Sequence, residues 1–280
     1  MSRNKLQARY GLKYNPFLPG IPDDDLWRPE GFDMFFYRVE NIIFDGGFAM
    51  ISGESGMGKS KALHLLASSL RQTGDIVVGV MERPQSSLHD FYRELGDLFG
   101  IRLNAANRYG GFKELRNKWK AHIAATLFKP VLLIDEAQEL PAQCLNEIRI
   151  LGSINFDSDC LLTTILCGDN RLPEKLRETA LIPLGTRIRT RLHIEPFSPQ
   201  RLLELLEHLL DSAGAPGLMT TELKHAIVEH CAGNPRILMT QAAELLDHAV
   251  SRQLSVMDES LFMDVFGRLK PAAKKSIRKK

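Results

Sequence analysis

Ile51-Ser52-Gly53-Glu54-Ser55-Gly56-Met57-Gly58-Lys59-Ser60 leaves this chain few folds to choose from. The stretch reads GxxxxGKS. The apolar run Phe48-Ala49-Met50-Ile51 leads into it, and Ala62, Leu63, Leu65, Leu66, Ala67 and Leu70 follow at helical spacing. A buried strand therefore turns directly into an amphipathic helix. A loop in that position can cradle phosphates. Its glycines let successive backbone N–H groups turn inward, and the helix presents its positive N-terminal end. Lys59 reaches the β- and γ-phosphates, and the Ser60 hydroxyl is placed to ligate Mg²⁺. The binding stretch is Gly53, Glu54, Ser55, Gly56, Met57, Gly58, Lys59, Ser60 and Lys61.

Downstream, strand and helix patterns alternate. Strands are expected at Phe48–Ser52, Ile76–Met81, Val131–Ile134 and Leu161–Cys167, with helices over 59–71, 87–99, near 112–127 and near 142–152. Such alternation implies a mainly parallel sheet covered on both faces, with ligands beyond the carboxyl ends of the strands. After about Pro196 the strand signals stop, and 199–212, 220–231, 235–250 and 258–267 read as helices. The expected division is a lead-in over 1–47 packing on the core, an α/β domain over 48–196, a small helical domain over 197–267 and a basic tail over 268–280. The lead-in is punctuated by Asn15-Pro16-Phe17, Pro19-Gly20 and Ile21-Pro22, then carries an amphipathic stretch around Phe35, Phe36, Val39, Ile42 and Ile43. Its Phe17 and Tyr37 are candidates for contact with an adenine ring.

Charge separates the tail from the rest. Seven of the 36 basic residues fall in 268–280 with no acid, which leaves 29 basic against 34 acidic residues elsewhere. Arg3, Lys5, Arg9 and Lys13 repeat the pattern at the other end. Such arms suit phosphate backbones or an acidic protein surface, or they serve only solubility. No run of about 18 apolar residues occurs, and no signal-type segment follows Met1, so a soluble cytoplasmic protein with no membrane association is expected. Cys144, Cys160, Cys167 and Cys231 are scattered without a CxxC pair and read as reduced core thiols.

A second motif completes the first. Val131-Leu132-Leu133-Ile134-Asp135-Glu136 is an apolar strand that ends in two carboxylates. Asp135 would hold Mg²⁺ beside Ser60, and Glu136 would polarise the attacking water. Together the two motifs specify an Mg²⁺-dependent nucleoside triphosphatase. Leu161–Cys167 is followed by Gly168, Asp169 and Asn170. If that strand lies beside the Asp135 strand, Asp169 or Asn170 faces the γ-phosphate region. Arg187, Arg189 and Arg191 alternate within Gly185–Arg191, and one of them could reach a neighbour's nucleotide as an arginine finger. Gly233-Asn234-Pro235-Arg236 opens a helix of the second domain, with Arg236 projecting from its start.

In this order the motifs resemble the AAA+ superfamily of P-loop ATPases. More narrowly, Asn15-Pro16-Phe17, Asp135-Glu136-Ala137-Gln138, Leu166-Cys167-Gly168-Asp169 and Gly233-Asn234-Pro235-Arg236 resemble the ExeA-type ATPases and the transposition regulators of the MuB, TniB, TnsC and IstB kind. The resemblance covers about residues 11–250. It implies an α/β P-loop AAA+ domain, with a central parallel sheet flanked by helices, plus a small C-terminal helical lid. The cofactors it implies are ATP and Mg²⁺. Lys59 and Ser60 fall in Walker A, and Asp135 and Glu136 in Walker B. Asp169 becomes sensor 1, with Asn170 open in that role, Arg187 the arginine finger and Arg236 sensor 2.

Secretion-type ExeA proteins add a membrane span and a cell-wall-binding domain to such a core, and this sequence shows neither, so the transposition branch is expected. In regulators of that branch, subunits form rings or helical filaments around duplex DNA, and the region after the second strand and its helix faces the DNA. Here it holds Arg102, Asn107, Arg108, Lys113 and Arg116. The expected protein is an ATP-dependent AAA+ regulator that binds double-stranded DNA without sequence preference, as a homo-oligomer. It would recruit or activate a transposase, with a target-selection protein as a further partner. A helicase-loader-like ATPase and an ExeA-like secretion-assembly ATPase are the alternatives.

Overall fold

The computed structural model describes residues 6, 9–84, 87–102, 107–156 and 158–267; the basic tail, Arg3 and Lys5 lie outside the described residues. Seven strands occur among them: β1 Gly47–Gly53, β2 Val78–Met81, β3 Val131–Ile134, β4 Ser153–Ile154, β5 Asp159–Cys160, β6 Thr163–Gly168 and β7 Ile188–Ile194. Five form one sheet in the order β2-β3-β6-β1-β7, and every neighbouring pair is parallel. β4 and β5 make a separate antiparallel hairpin.

β1, β3 and β6 are buried along their whole length, as expected of central strands in a parallel sheet with both faces covered. On one face Phe48, Met50, Leu132, Ile134 and Leu166 join a core with Phe91, Tyr92, Leu95, Leu115, Trp119 and Ile148. These come from the helices Leu88–Leu98, Arg108–Thr126 and Ala142–Gly152. The alternate residues Ala49, Ile51, Leu133, Ile165 and Cys167 are equally buried on the other face. The helices Phe32–Asp45 and Lys59–Gln72 pack against β1. Each fully buried Leu, Ile or Phe contributes about 1.5–3 kcal/mol of transfer free energy.

The expected elements appear at nearly their expected bounds, and the departures have physical causes. β2 begins at Val78 rather than Ile76 because it is the sheet edge, where Val77 is exposed. β7 comes from a stretch for which an extended conformation was only conditional. Its burial alternates strictly from Ile188 to Ile194, a half-covered edge strand that a run of arginines disguises. The helix placed near 112–127 starts earlier, at Arg108, because the Asn107 side chain accepts from the Gly110 N–H at 2.9 Å and caps it.

Two compact units result, one Arg28–Glu195 and the other Met1–Trp27 with Pro196–Lys280. The lead-in placed over 1–47 therefore divides at Trp27. Its helix Phe32–Asp45 packs on β1 and β7 within the sheet unit. The earlier part belongs to the helical unit, where the Lys13 N–H donates to the Ala213 carbonyl at 2.9 Å and the Tyr10 hydroxyl to that of Leu254 at 2.8 Å. Leu12 and Phe17 are buried there. Proline punctuation blocks a periodic pattern in that segment, so nothing local shows which surface these two side chains fill.

In the helical unit four α-helices follow a capping side chain. Ser198, Thr220, Asn234 and Asp258 accept N–H bonds at the starts of Pro199–Ser212, Thr221–His230, Pro235–Ser251 and Glu259–Phe266. All four cysteines are free thiols. Burial pushes Cys144 up to about 11 and Cys231 up to about 12. No helix among the described residues is long and apolar enough to cross a membrane.

Candidate nucleotide site

The loop after β1 is built around glycine. At Gly53, φ is +153°, and a Cβ there would lie 2.4 Å from the Ile194 carbonyl oxygen at the end of β7. No other residue fits that crossing. Gly56 and Gly58 take φ of +90° and +88°, and the helix Lys59–Gln72 begins immediately afterwards. Lys59 is only 6 % exposed, and its Nζ donates across the loop to the Glu54 carbonyl at 2.8 Å. Ser60 is exposed beside it. At the base of the loop, the Ser52 hydroxyl and His193 Nδ1 lie 3.0 Å apart and join the ends of β1 and β7.

β6 lies between β1 and β3, so the strand that ends in Gly168 does lie beside the Asp135 strand. Register pairs Ile51 with Cys167 and Ile134 with Leu166, so Asp135 stands level with Cys167 and Ile51. Two strand spacings put that row at about 10 Å across. The Cys167 thiol reports on both neighbours. Burial raises its pKa well above the ordinary value, the charge of Asp135 and a hydrogen bond to it raise it further, and Lys59 opposes them.

Glu136 sits directly after Asp135 in left-handed backbone, at φ +49°, and its N–H donates to Asp135 Oδ1 at 2.9 Å. A non-glycine residue in that conformation stores strain that its surroundings must hold. Gln138 does part of that holding. Its Nε2 donates to Glu136 Oε2 at 2.5 Å, and its Oε1 accepts the Asp169 N–H at 3.2 Å. Lys175 Nζ pins the same turn by donating to the carbonyls of Gln138 at 2.7 Å and Leu140 at 2.5 Å.

Asp169 is engaged by its own chain. Arg171 Nε donates to both carboxylate oxygens, at 2.9 and 3.2 Å, and its Nη2 reaches Glu139 at 2.6 Å. Burial works to raise the Asp169 pKa, but the bonds from Arg171 and the charge of Lys59 outweigh it and hold the carboxyl below its usual range. Asn170, the N-cap position of the short helix Arg171–Lys175, is exposed.

Lys59, Ser60, Asp135, Glu136 and Asp169 thus gather at the carboxyl edge of the sheet. Oxygen donors from a hydroxyl and a carboxylate suit Mg²⁺, which keeps several waters and takes its remaining ligands from phosphates. The inward-turned loop suits a triphosphate. The residues present fit ATP and Mg²⁺.

The arginine triplet lies elsewhere in the same unit. Arg189 and Arg191 project from the exposed face of β7, and Arg187 precedes the strand and donates to the Pro183 carbonyl. Arg187 and Arg189 line a cavity of about 630 Å³ with Lys129 and Arg149. Gly46, Gly47 and Phe48 also line it, which places it at the amino edge of the sheet. Lys129 and Asp159 are 3.5 Å apart, Arg189 and Asp45 3.9 Å. Arg149 Nε is buried there without a hydrogen-bond partner. Arg236 is the second residue of the helix Pro235–Ser251 in the helical unit, its N–H bonded to Asn234 Oδ1 at 2.9 Å. Phe17 is core in that unit, and Tyr37 is exposed on the sheet unit.

The five residues expected to face DNA divide. Arg102 and Lys113 are exposed. Asn107 is the helix cap already described. Arg108 pairs with Glu147, whose side chain is 2 % exposed and also accepts from the Tyr92 hydroxyl at 2.5 Å. Arg116 closes the end of the helix Ala142–Gly152, donating to the carbonyls of Ile150, Leu151 and Ser153 at 3.3, 3.4 and 2.6 Å. Two of the four cations thus serve the fold.

Residues 42–176 match the family described as AAA domain. General secretion pathway protein A of Aeromonas hydrophila is 28 % identical over 197 residues, which cover 69 % of this chain and 35 % of that protein. The chain spans about a third of the length of the curated relatives it matches. Among solved structures, the Aeropyrum pernix ORC2 protein in its ADP form superimposes with a TM-score of 0.69 at 14 % identity, over 90 % of this chain and 72 % of that one. Drosophila ORC bound to DNA gives 0.69 at 16 % identity, over 93 % and 64 %. The five-stranded parallel sheet and its flanking helices therefore share the fold of these neighbours.

Gln138, Arg171, Lys175, Arg149 and His193 were given no role by the sequence reading. Only Gln138 carried a signal, its place in Asp135-Glu136-Ala137-Gln138. Lys175 and His193 meet it through bonds to distant segments, Arg171 through neighbouring Asp169 and distant Glu139, and Arg149 lines the separate cavity at the amino edge.

Proposed function

We propose that this protein is an Mg²⁺-dependent ATPase that assembles with copies of itself and acts on duplex DNA as a regulator of a transposase. The observation that carries the reading is β6 inserted between β1 and β3, which gathers Lys59, Ser60, Asp135, Glu136 and Asp169 at one sheet edge. The N–H groups of Gly53–Gly58 and the start of the next helix bind the phosphates, and Lys59 leaves the Glu54 carbonyl for the β- and γ-phosphates. Ser60 and Asp135 hold Mg²⁺, which neutralises charge on the phosphates when bound. The Glu136 carboxylate orients the attacking water and draws on its proton. Asp169 or Asn170 contacts the γ-phosphate.

The basic cavity of Lys129, Arg149, Arg187 and Arg189 is the face that meets a second copy's nucleotide, with Arg187 as the finger. ATP then joins subunits and hydrolysis separates them. Arg102, Lys113 and the basic tail supply phosphate contacts, which give salt-sensitive affinity without sequence readout. The likeness to Drosophila ORC bound to DNA supports a DNA client. A second reading, an ATPase of secretion assembly, is favoured by the likeness to general secretion pathway protein A.

Binding of random-sequence duplex DNA with Mg²⁺ and a non-hydrolysable ATP analogue, ADP or no nucleotide, imaged in parallel by negative-stain microscopy, separates the two. Cooperative, salt-sensitive binding with the analogue alone, accompanied by rings or filaments and lost in Lys59→Ala and Arg187→Ala, is expected. Intact ATP hydrolysis without DNA binding in any nucleotide state would overturn the DNA reading and favour the secretion one.

A further inference from the structure

We propose that Gln138 is the positioning residue for Glu136 and couples it to the strand end that carries Asp169. The inference rests on the ATPase reading and adds to it a residue that neither touches the nucleotide nor holds the metal.

The geometry has little slack. Gln138 is 6 % exposed, and its amide spans the gap between two groups on different segments. The NH₂ end donates to Glu136 Oε2 at 2.5 Å, and the oxygen end accepts the Asp169 N–H at 3.2 Å. The second bond fixes which way round the amide sits. An oxygen must face the Asp169 N–H, so an NH₂ must face the carboxylate. Glu136 needs such a donor. Its backbone is left-handed and its side chain is exposed, so burial against neighbours does not hold it in one orientation. A charge-assisted bond from a buried amide supplies that selection.

Gly168 makes the span possible. A Cβ on Gly168 would lie 2.3 Å from Gln138 Oε1, so the last residue of β6 must lack a side chain for the amide to pass. Gln138 is anchored from behind through its own carbonyl by Lys175 Nζ. Any shift of the Asp169 backbone, such as contact with a γ-phosphate or its loss, therefore reaches Glu136 through one side chain. When Asp169 moves away, the amide is freed to turn and the carboxylate loses its donor. Water attack is then supported only while the sensing strand is in place.

The test is steady-state ATP hydrolysis by the full chain, with nucleotide affinity measured separately by fluorescent-ATP binding. Gln138→Ala is expected to lower kcat by about 10–100-fold, part of what general-base catalysis contributes, with KM and nucleotide affinity within about 2-fold. Gln138→Met fills nearly the same volume without an amide. It is expected to be as slow as Gln138→Ala, because the donor and not the bulk is missing. Gly168→Ala, which leaves Gln138 in the chain but displaces its amide, is expected to reproduce the same split. Full activity in Gln138→Met, or losses confined to KM and affinity, would overturn the proposal and leave Gln138 as packing. A wild-type chain that binds ATP but does not hydrolyse it would overturn both the proposal and the ATPase reading. A hydrolysing wild type with unaffected variants would overturn the proposal alone.

Discussion

Arg108→Ala tests whether this arginine is a structural partner or a surface cation. Its guanidinium bonds both oxygens of Glu147, a carboxylate with 2 % of its side chain exposed, while 57 % of the arginine's own side chain is exposed. Breaking a fully buried pair costs about 3–5 kcal/mol because the remaining charge is stranded. Exposed pairs are worth about 0–1 kcal/mol. This pair is half of each, and in the variant the Tyr92 hydroxyl still donates to Glu147. A loss of about 2 kcal/mol follows, or about 4–8 °C in Tm for a unit of this size.

Urea unfolding followed by Trp119 fluorescence measures it, in a Trp27→Phe background that removes the other indole. Trp119 is 1 % exposed and shares a core with Tyr92. Glu147→Gln removes the stranded charge, so Arg108→Ala with Glu147→Gln should be more stable than Arg108→Ala alone. Stability unchanged within about 0.5 kcal/mol in Arg108→Ala, the usual range of a neutral surface change, would refute the reasoning and return Arg108 to the set available for DNA phosphates.

Gly53→Ala should cost more than about 2 kcal/mol and abolish nucleotide binding, since its Cβ would strike the Ile194 carbonyl at 2.4 Å. Gly74→Ala is the control: its φ is +74° but no atom lies within 4 Å of the new Cβ, so only conformational strain of about 1 kcal/mol is expected. Equal costs from thermal melting would contradict the close approach of β1 and β7. Asp258→Ala should cost about 1 kcal/mol at neutral pH as amide exchange in Glu259–Phe266 accelerates. Hydrogen bonds from Ser260 and the Leu261 N–H hold the Asp258 carboxyl below its ordinary value. The cap therefore stabilises the fold above the unfolded-state pKa and is lost as pH falls through the lower folded value. The penalty should shrink across that window, and a penalty independent of pH would show that the cap does not depend on ionised Asp258.

The phosphate-loop motif and the two strand ends beside it were legible because each is local. GxxxxGKS, the apolar run that ends in Asp135-Glu136 and the run that ends in Gly168-Asp169 are each contiguous, and the turn chemistry of glycine and the solvation of carboxylates act over a few residues. The basic residues were read less well. Charge in a sequence says nothing of what it faces, and Arg108 and Arg116 turned out to serve a buried carboxylate and a helix end. The division of the lead-in at Trp27 has no local signal for a related reason: isolated apolar residues between prolines have no period from which to read a partner.

The sequence alone thus determined the alternation of strands and helices, the glycine turns of the phosphate loop and the run of helices after Pro196. Each depends on sterics or hydrogen bonds within one short segment. Tertiary structure decided that β6 separates β1 from β3 and that Gln138 bridges Glu136 to Asp169. It also set the four cations of the Arg187 cavity together at the opposite sheet edge. Those outcomes depend on strand order and register, which are fixed by which buried faces fill one core, and no single segment contains that information.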